Sequence, residues 1–259
     1  MGLKKPSMPG RLPRLGLVLA AGLLAGCAAV PVTQGINDPY ELTNRKIHGF
    51  NKGLDRAVLR PVAKAYGAVV PGPARRAVDN VADTLDLPGD ILNNILQARV
   101  ENAANNTLRL ALNLTVGIGG LVDVAGAIGL DEAQTDFGET LHVWGVGEGA
   151  YLERPFTGPT TARDSVGGVV DLVLNPVRLA LPERGAIAAT AVQVLSVLGT
   201  RDRFSQTVDS VLYDSADSYA QSRLLYLQNR RFALGQAAPP DAETADDGFI
   251  DPYEDPYGE

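Results

Sequence analysis

The chain has 259 residues, with 23 basic against 30 acidic side chains, a formal charge of −7, one cysteine and two histidines. This balance argues against nucleic acid as a partner, since such binding rests on clustered cations. One thiol leaves no intramolecular disulfide, and two histidines without ligand spacing leave little for zinc, haem or iron–sulfur chemistry.

Lys4, Lys5, Arg11 and Arg14 precede an apolar run over residues 15–24, and the run closes on Leu24-Ala25-Gly26-Cys27. That order is how a bacterial lipoprotein signal peptide ends. The uncharged stretch 15–30 is too short for the roughly 20 residues of a transmembrane helix. Residues 1–26 are therefore expected to be removed, with Cys27 carrying a diacylglycerol on its thiol and a third acyl chain on its new amino group. Each buried methylene adds about 0.8 kcal/mol of membrane affinity. Ala28, in place of an aspartate that would favour inner-membrane retention, points to the outer membrane. The remaining 233 residues suffice for one large domain with its own core and carry a charge near −11.

Residues 27–37 read as a lipidated tether. From Asp38-Pro39, Leu42, Ile47, Phe50, Leu54, Val58 and Leu59 recur at helical steps. Asp38 with Glu41 forms a candidate capping box, and Pro61 is expected to interrupt the helix. Pro71-Gly72-Pro73 marks a turn, 74–85 a short amphipathic helix, and Pro88-Gly89 a further break. Asp90 is then placed as the cap of a helix reaching Leu112, with Ile91, Leu92, Ile95, Leu96, Val100 and Leu108 on its apolar face. Its other face holds Asn93, Asn94, Asn102, Asn105, Asn106 and Asn113, although asparagine competes for the backbone and is a mediocre helix former. Two readings stand: a solvated face that uses amides, or a neutral polar wall facing a lipid headgroup or channel.

The stretch 110–130 is highly apolar with one charge, Asp123, and glycines at 117, 119, 120, 126 and 129. Two short helices around a Gly-rich bend fit it better than one rod. The segment from Trp144 through Gly145, Gly147 and Gly149 to Gly158-Pro159 reads as loop. Helical spacing resumes over 161–181 with a kink at Pro176, over 186–198, and over one or two helices between Phe204 and Phe232. Residues 235–259 form an acidic tail that cannot bury enough apolar surface to fold. The fold class is all-α, one helical domain over 38–234.

Catalytic apparatus is not expected. There is no Walker-type loop, and Gly145, Gly147 and Gly149 lack the preceding strand and following helix of a dinucleotide fingerprint. Ser165, Asp164 and His48 or His142 could compose a hydrolytic triad, but no Gly-x-Ser-x-Gly elbow surrounds a serine. No metal or other cofactor is expected.

Four ordered blocks carry a resemblance. The first has Asp38-Pro39, Glu41, Asn44-Arg45, Phe50-Asn51, Leu54-Asp55 and Arg60-Pro61-Val62-Ala63; the second has Pro71, Pro73, Asn80, Leu85, Pro88, Asn93-Asn94 and Leu96-Gln97. The third has Arg109, Asn113, Thr115, Gly117, Gly119-Gly120, Asp123 and Ala125. The fourth, the most specific, has Asp136-Phe137-Gly138, Thr140-Leu141, Trp144-Gly145-Val146-Gly147, Gly149, Tyr151, Pro155, Gly158-Pro159 and Arg163-Asp164. With the lipobox ahead of them, the chain resembles the MlaA (VacJ) family of Gram-negative outer-membrane lipoproteins. It departs from the family pattern at Val81-Ala82, Ala150 and Glu153-Arg154.

The resemblance implies a ring-like arrangement of amphipathic, interfacial helices with Gly-rich hairpins, lying in the outer membrane and anchored on its periplasmic side. Such a protein associates with porin trimers, removes phospholipids misplaced in the outer leaflet through an amphipathic channel, and passes them to a soluble periplasmic carrier like MlaC, which maintains lipid asymmetry. Asn93, Asn94, Asn105 and Asn113 are the candidate headgroup lining, because neutral amides bond phosphate without the cost of an unpaired buried charge. Gly117, Gly119, Gly120, Gly145, Gly147 and Gly149 are candidate hinges. Arg45, Asp55, Asp136, Arg163 and Asp164 are assigned to ion pairs or caps. The alternative is a structural lipoprotein that tethers a porin or envelope complex without moving lipid.

Overall fold

Residues 36–236 are described by a computed structural model; the expected signal peptide, Cys27, the expected tether up to residue 35, and the tail beyond residue 236 lie outside the described residues. Helix α1 (Glu41–Leu54) runs through a π-turn (Asp55–Leu59) into α2 (Arg60–Val69). Pro61 does not interrupt this run. The wider π-turn just before it relieves the clash its ring would make with the carbonyl four residues back. Asp38 does not cap α1 either: Tyr40 is the N-cap, without a side-chain bond, and the Asp38 carboxylate accepts from Asn44, Tyr219 and Arg223.

Helix α3 (Gly72–Leu96) passes Pro88-Gly89 unbroken, so the expected break is absent and Asp90 lies in the helix interior rather than at a cap. A proline there costs about 3 kcal/mol in an isolated helix. Packing outweighs it, because α3 is flanked by α4 (Val100–Thr115) on one side and by α9 (Glu183–Arg203) on another. The helix expected from Asp90 to Leu112 is instead divided by a tight turn at 97–99, where Ala98 has φ 59°.

After α4 comes the Gly-rich turn, a one-turn helix α5 (Val124–Ala127), a loop, and α6 (Phe137–Val143), whose N-cap Asp136 accepts from the Glu139 amide. The stretch expected to be loop contains an antiparallel hairpin, β1 (Tyr151–Arg154) with β2 (Gly158–Thr161), Tyr151 opposite Thr161. The side chain of Asn44 acts as a surrogate strand beside β1, donating to the Tyr151 carbonyl and accepting from the Glu153 amide. Helices α7 (Ala162–Leu174), α8 (Pro176–Ala180) and α9 follow, then α10 (Ser205–Asp209), a second π-turn (Ser210–Asp214) and α11 (Ser218–Ala233). Apart from this two-stranded ribbon the regular elements of the described residues are helical, and Pro176 divides α7 from α8 as its chemistry requires.

Burial is inverted. Among the described residues only eight apolar side chains are buried, four of them alanine, whereas eighteen polar or charged ones are, and thirty-four large apolar residues are exposed. The exposed set includes Leu114, Val116, Ile118, Leu121 and Val122 at the Gly-rich turn and Val166, Val169, Leu172 and Val173 along α7. A water-soluble monomer rarely exposes contiguous apolar surface on this scale. No described helix is long and apolar enough to cross a membrane.

Candidate functional site

Helix α3 places Asp79, Asp83, Asp86, Asp90, Asn93 and, at its C-cap, Gln97 at steps of four and three residues. That spacing puts all six on one face, a polar stripe extending for about 27 Å at 1.5 Å per residue. Two cavities open along it. One of about 600 Å³ is lined by Arg75, Arg76, Asp79 and Asp83 of α3 with Asp202 and Arg203 of α9. The other, about 620 Å³, is lined by Asp86, Gly89, Asp90 and Asn93 of α3, by Glu132 and Thr135 of the loop after α5, and by Asp171 of α7.

The charges are arranged along this lane. At the first end Arg75 bonds Asp202 at 2.9 Å and Arg203 bonds Asp79. At the far end Arg99 bonds Glu139 at 2.5 Å, and Arg230 joins Asp136 at 2.7 Å to Asp164 at 3.1 Å. Between them the acids outnumber their partners. Arg109 reaches Glu132 only at 3.8 Å while also contacting Asp123 at 3.3 Å. Burial, reinforced at Asp83 and Asp90 by neighbouring carboxylates, holds the carboxyls of Asp83, Asp86, Asp90 and Glu132 above their ordinary values. Asp83 and Asp86 are nonetheless open to solvent.

Of the asparagines singled out in the sequence, Asn93 lines the second cavity, 3 % exposed, donating to Asp171 at 3.0 Å and accepting from Thr140 at 2.9 Å. The other three are outside its walls. Asn94 donates to the carbonyls of Asp90 and Ala133, Asn105 to that of Asp131, and Asn113 bonds the Asp123 carboxylate and the Ala125 amide. Asn106 grips Ala133 twice, through N–H and carbonyl. These amides pin the segment 123–133 onto the α3–α4 hairpin, satisfying loop backbone that would otherwise be buried unpaired. The lane wall therefore carries carboxylates where neutral amides were expected.

Three of the candidate hinge glycines meet tight static demands, Gly149 among them with a Cβ that would lie 2.9 Å from that of Ala162. A Cβ at Gly117 would lie 2.3 Å from the Val122 carbonyl oxygen, and Gly120, at φ 89°, has Thr84 Oγ1 2.8 Å from where a Cβ would be. Gly119, Gly145 and Gly149 also have positive φ, and Gly147 has open space.

The five charges read as structural make such contacts: Arg45 with Glu41 and Asp217, Asp55 with Arg201, Asp136 as a cap, and Arg163 with Asp164. No triad forms around Ser165. Its hydroxyl donates weakly to Thr160 at 3.4 Å, and Asp164 is taken up by Arg230 and Tyr226. Glu153, a departure from the family pattern, is 4 % exposed, with His48 Nδ1 3.2 Å and the Tyr151 hydroxyl 2.6 Å from its carboxylate.

The acidic stripe was missed in the sequence because Pro88-Gly89 was read as an end. The steps 79, 83, 86, 90, 93 and 97 were the available signal. Apolar over much of its surface and polar in its buried set, the described body is that of a helical protein with two open polar cavities along one face of α3.

The sequence profile of the family described as MlaA lipoprotein matches residues 36–233. Proteins named "Intermembrane phospholipid transport system lipoprotein MlaA" from Escherichia coli strain K12 and from Shigella flexneri are each 34% identical over 245 residues, 91% of this chain and 96% of theirs. An uncharacterised Rickettsia bellii protein is 35% identical over 77% of each chain. A solved structure titled "Structural basis for maintenance of bacterial outer membrane lipid asymmetry" superimposes with TM-score 0.66 at 33% identity, covering 76% of this chain and 98% of that one. The chain belongs to the MlaA lipoprotein family.

Proposed function

We propose that this lipoprotein maintains outer-membrane lipid asymmetry by taking phospholipids from the outer leaflet along the α3 lane and delivering them to a soluble periplasmic carrier. The inverted burial carries the reading. An exterior rich in exposed valine, leucine and isoleucine is stable against acyl chains, while a polar stripe beside two open cavities solvates a headgroup that could not cross hydrocarbon unaided. At about 27 Å the stripe accompanies a headgroup across most of the roughly 30 Å of bilayer hydrocarbon. Acylated Cys27 holds the body at the periplasmic leaflet, and porin trimers beside it supply the protein collar for its irregular, Gly-rich turns.

No group along the lane needs to break a bond, so the action proposed is transfer, with direction set by the carrier. The test is a strain lacking its own copy of the gene, assayed for surface-exposed phospholipid. Wild type restores asymmetry, Cys27→Ala fails for want of the anchor, and Gly89→Trp, which projects an indole into open cavity space, fails although anchored and folded. Full rescue by Gly89→Trp would contradict the route.

A further inference from the structure

A serine, a histidine and a glutamate meet outside the walls of both cavities, drawn from three elements too far apart in sequence for any local motif to announce them. His48 of α1 lies between Glu153 of β1 and Ser218, the first residue of α11. Its Nδ1 is 3.2 Å from Glu153 Oε1 and its Nε2 is 3.1 Å from Ser218 Oγ. The carboxylate settles the tautomer. It can only accept, so Nδ1 carries the hydrogen and Nε2 presents its lone pair to the Ser218 hydroxyl. Lys52, one turn beyond His48 on the same face of α1, donates to Ser218 Oγ at 3.2 Å. The donors therefore run in one direction, from Lys52 to Ser218 to His48 to Glu153.

Each member is held in place. The Glu153 side chain is 1% exposed, accepts the Tyr151 hydroxyl on Oε2 at 2.6 Å, and has its own amide bonded to the Asn44 carbonyl oxygen. The buried His48 ring packs edge to face on Tyr219, centroids 5.7 Å apart. Ser218 is half-buried. A reachable hydroxyl, a base behind it and a locked carboxylate behind the base make up the order that nucleophilic acyl transfer needs.

We propose that Ser218, His48 and Glu153 form a catalytic triad that cleaves carboxylic esters, an activity distinct from lipid transfer. Ser218 Oγ bonds to the ester carbonyl carbon while His48 Nε2 takes its proton, and the carbonyl π pair moves onto oxygen. The Lys52 ammonium and the positive end of α11, sixteen residues long, stabilise that oxyanion. Collapse breaks the carbon–oxygen bond to the alcohol, which leaves with the Nε2 proton. Water then attacks the acyl-serine in the same way, releasing the acid and restoring Ser218. Acyl phospholipids and small soluble esters present the same carbonyl.

The acylated full chain in detergent is treated with a biotinylated alkyl fluorophosphonate, whose phosphorus an activated serine captures with loss of fluoride, and labelled peptides are read by mass spectrometry. Turnover is followed on p-nitrophenyl butyrate and on phosphatidylglycerol vesicles. Wild type should be labelled at Ser218, and Ser218→Ala should lose the label and on the order of 1000-fold or more in turnover. Glu153 acts through His48 and touches no ester, so Glu153→Gln should lower kcat on the order of 100- to 10,000-fold with KM unchanged. Ser218→Cys, with Cys27 acylated, presents a single free thiol, and iodoacetamide should alkylate it about tenfold faster than in the same variant carrying His48→Gln. Nitrophenol release alone supports the triad with a soluble ester as its substrate; lyso-lipid release supports it with a membrane ester. No label on Ser218, no turnover of either ester, turnover that survives Ser218→Ala, or equal alkylation rates overturns the triad and leaves a structural hydrogen-bond network. Lipid transfer stands or falls separately, on the asymmetry assay.

Discussion

Arg201→Ala is expected to be the most damaging single truncation away from the lane. Its guanidinium is 7 % exposed and bonds Asp55 through two contacts of 2.8 Å, with a third to Asp209 at 2.7 Å. Asp55 sits in the first π-turn, 6 % exposed, and Asp209 ends α10, so this residue of α9 ties the first helices of the body to the segment leading into α11. Truncation would leave the Asp55 carboxylate buried with the Tyr213 hydroxyl, at 2.7 Å, as its remaining partner. Breaking a buried pair from one side costs about 3 to 5 kcal/mol, whereas replacing both partners by apolar residues is often neutral. For a body of this size that is a fall of roughly 6 to 20 °C in Tm.

The assay is thermal unfolding of the acylated protein in detergent, followed by helical circular dichroism. Arg201→Ala should melt far below wild type, and Asp55→Leu with Arg201→Met should recover most of the loss. Burial opposes ionisation of Asp55, but Arg201 and Tyr213 together hold its carboxyl below the ordinary range. The stability it contributes is therefore present above the unfolded carboxyl value and lost as pH falls through the folded one. Arg201→Ala should flatten that part of the acid limb. A melting point within a degree or two of wild type would refute the reasoning that this clamp joins the two parts.

Asp90 carries the opposite sign. Burial first, and Glu132 and Asp86 after it, hold its carboxyl above its unfolded value, so its contribution is complete at low pH and declines as pH rises through the folded value. In lipid-free protein, Asp90→Asn should raise stability by on the order of 1 to 3 kcal/mol at about pH 8 and leave it unchanged at about pH 3 in denaturant titrations. Asn106→Ala removes two bonds to Ala133 from a fully buried side chain and should cost about 2 to 3 kcal/mol, with faster proteolysis in 128–135. Gly120→Ala should lose about 1 to 3 kcal/mol because of its positive φ and the Thr84 contact, whereas Gly147→Ala, with open space at its Cβ, should melt like wild type.

Much of the helical skeleton was legible because periodicity is a local property. Val166, Val169, Val170 and Val173 announced α7, and the leucines near 224–227 announced α11. What misled was punctuation. Pro88 is a strong local stop, but its penalty is set against packing from α4 and α9, which no window of sequence contains. Reading a break there concealed the acid stripe, since Asp79 and Asp90 were assigned to different elements. Thr84 Oγ1 donates back to the Asn80 carbonyl at 2.7 Å, one turn before Pro88, a local adjustment common where helices bend.

The asparagine crowding was a true signal with two open meanings, and the structure adds a third: amides used as staples for loop backbone. The β1–β2 hairpin was unreadable for the same reason as the α3 run. Four-residue strands beside glycine and proline carry little pattern, and this ribbon depends on Asn44, more than a hundred residues away in sequence.

Gly89 is the position from which the internal route can be asked about most directly, since it lines the cavity and has room for a side chain. A photoreactive phenylalanine analogue placed there, and another at exposed Leu172 on α7, would be irradiated in intact cells and the protein weighed. Phospholipid adducts at both positions are predicted, the one at residue 89 vanishing when Asp86 and Asp90 are both replaced by leucine. Adducts at residue 172 alone, with residue 89 unmodified, would mean a greasy exterior around an interior that lipid never enters, and would contradict the account.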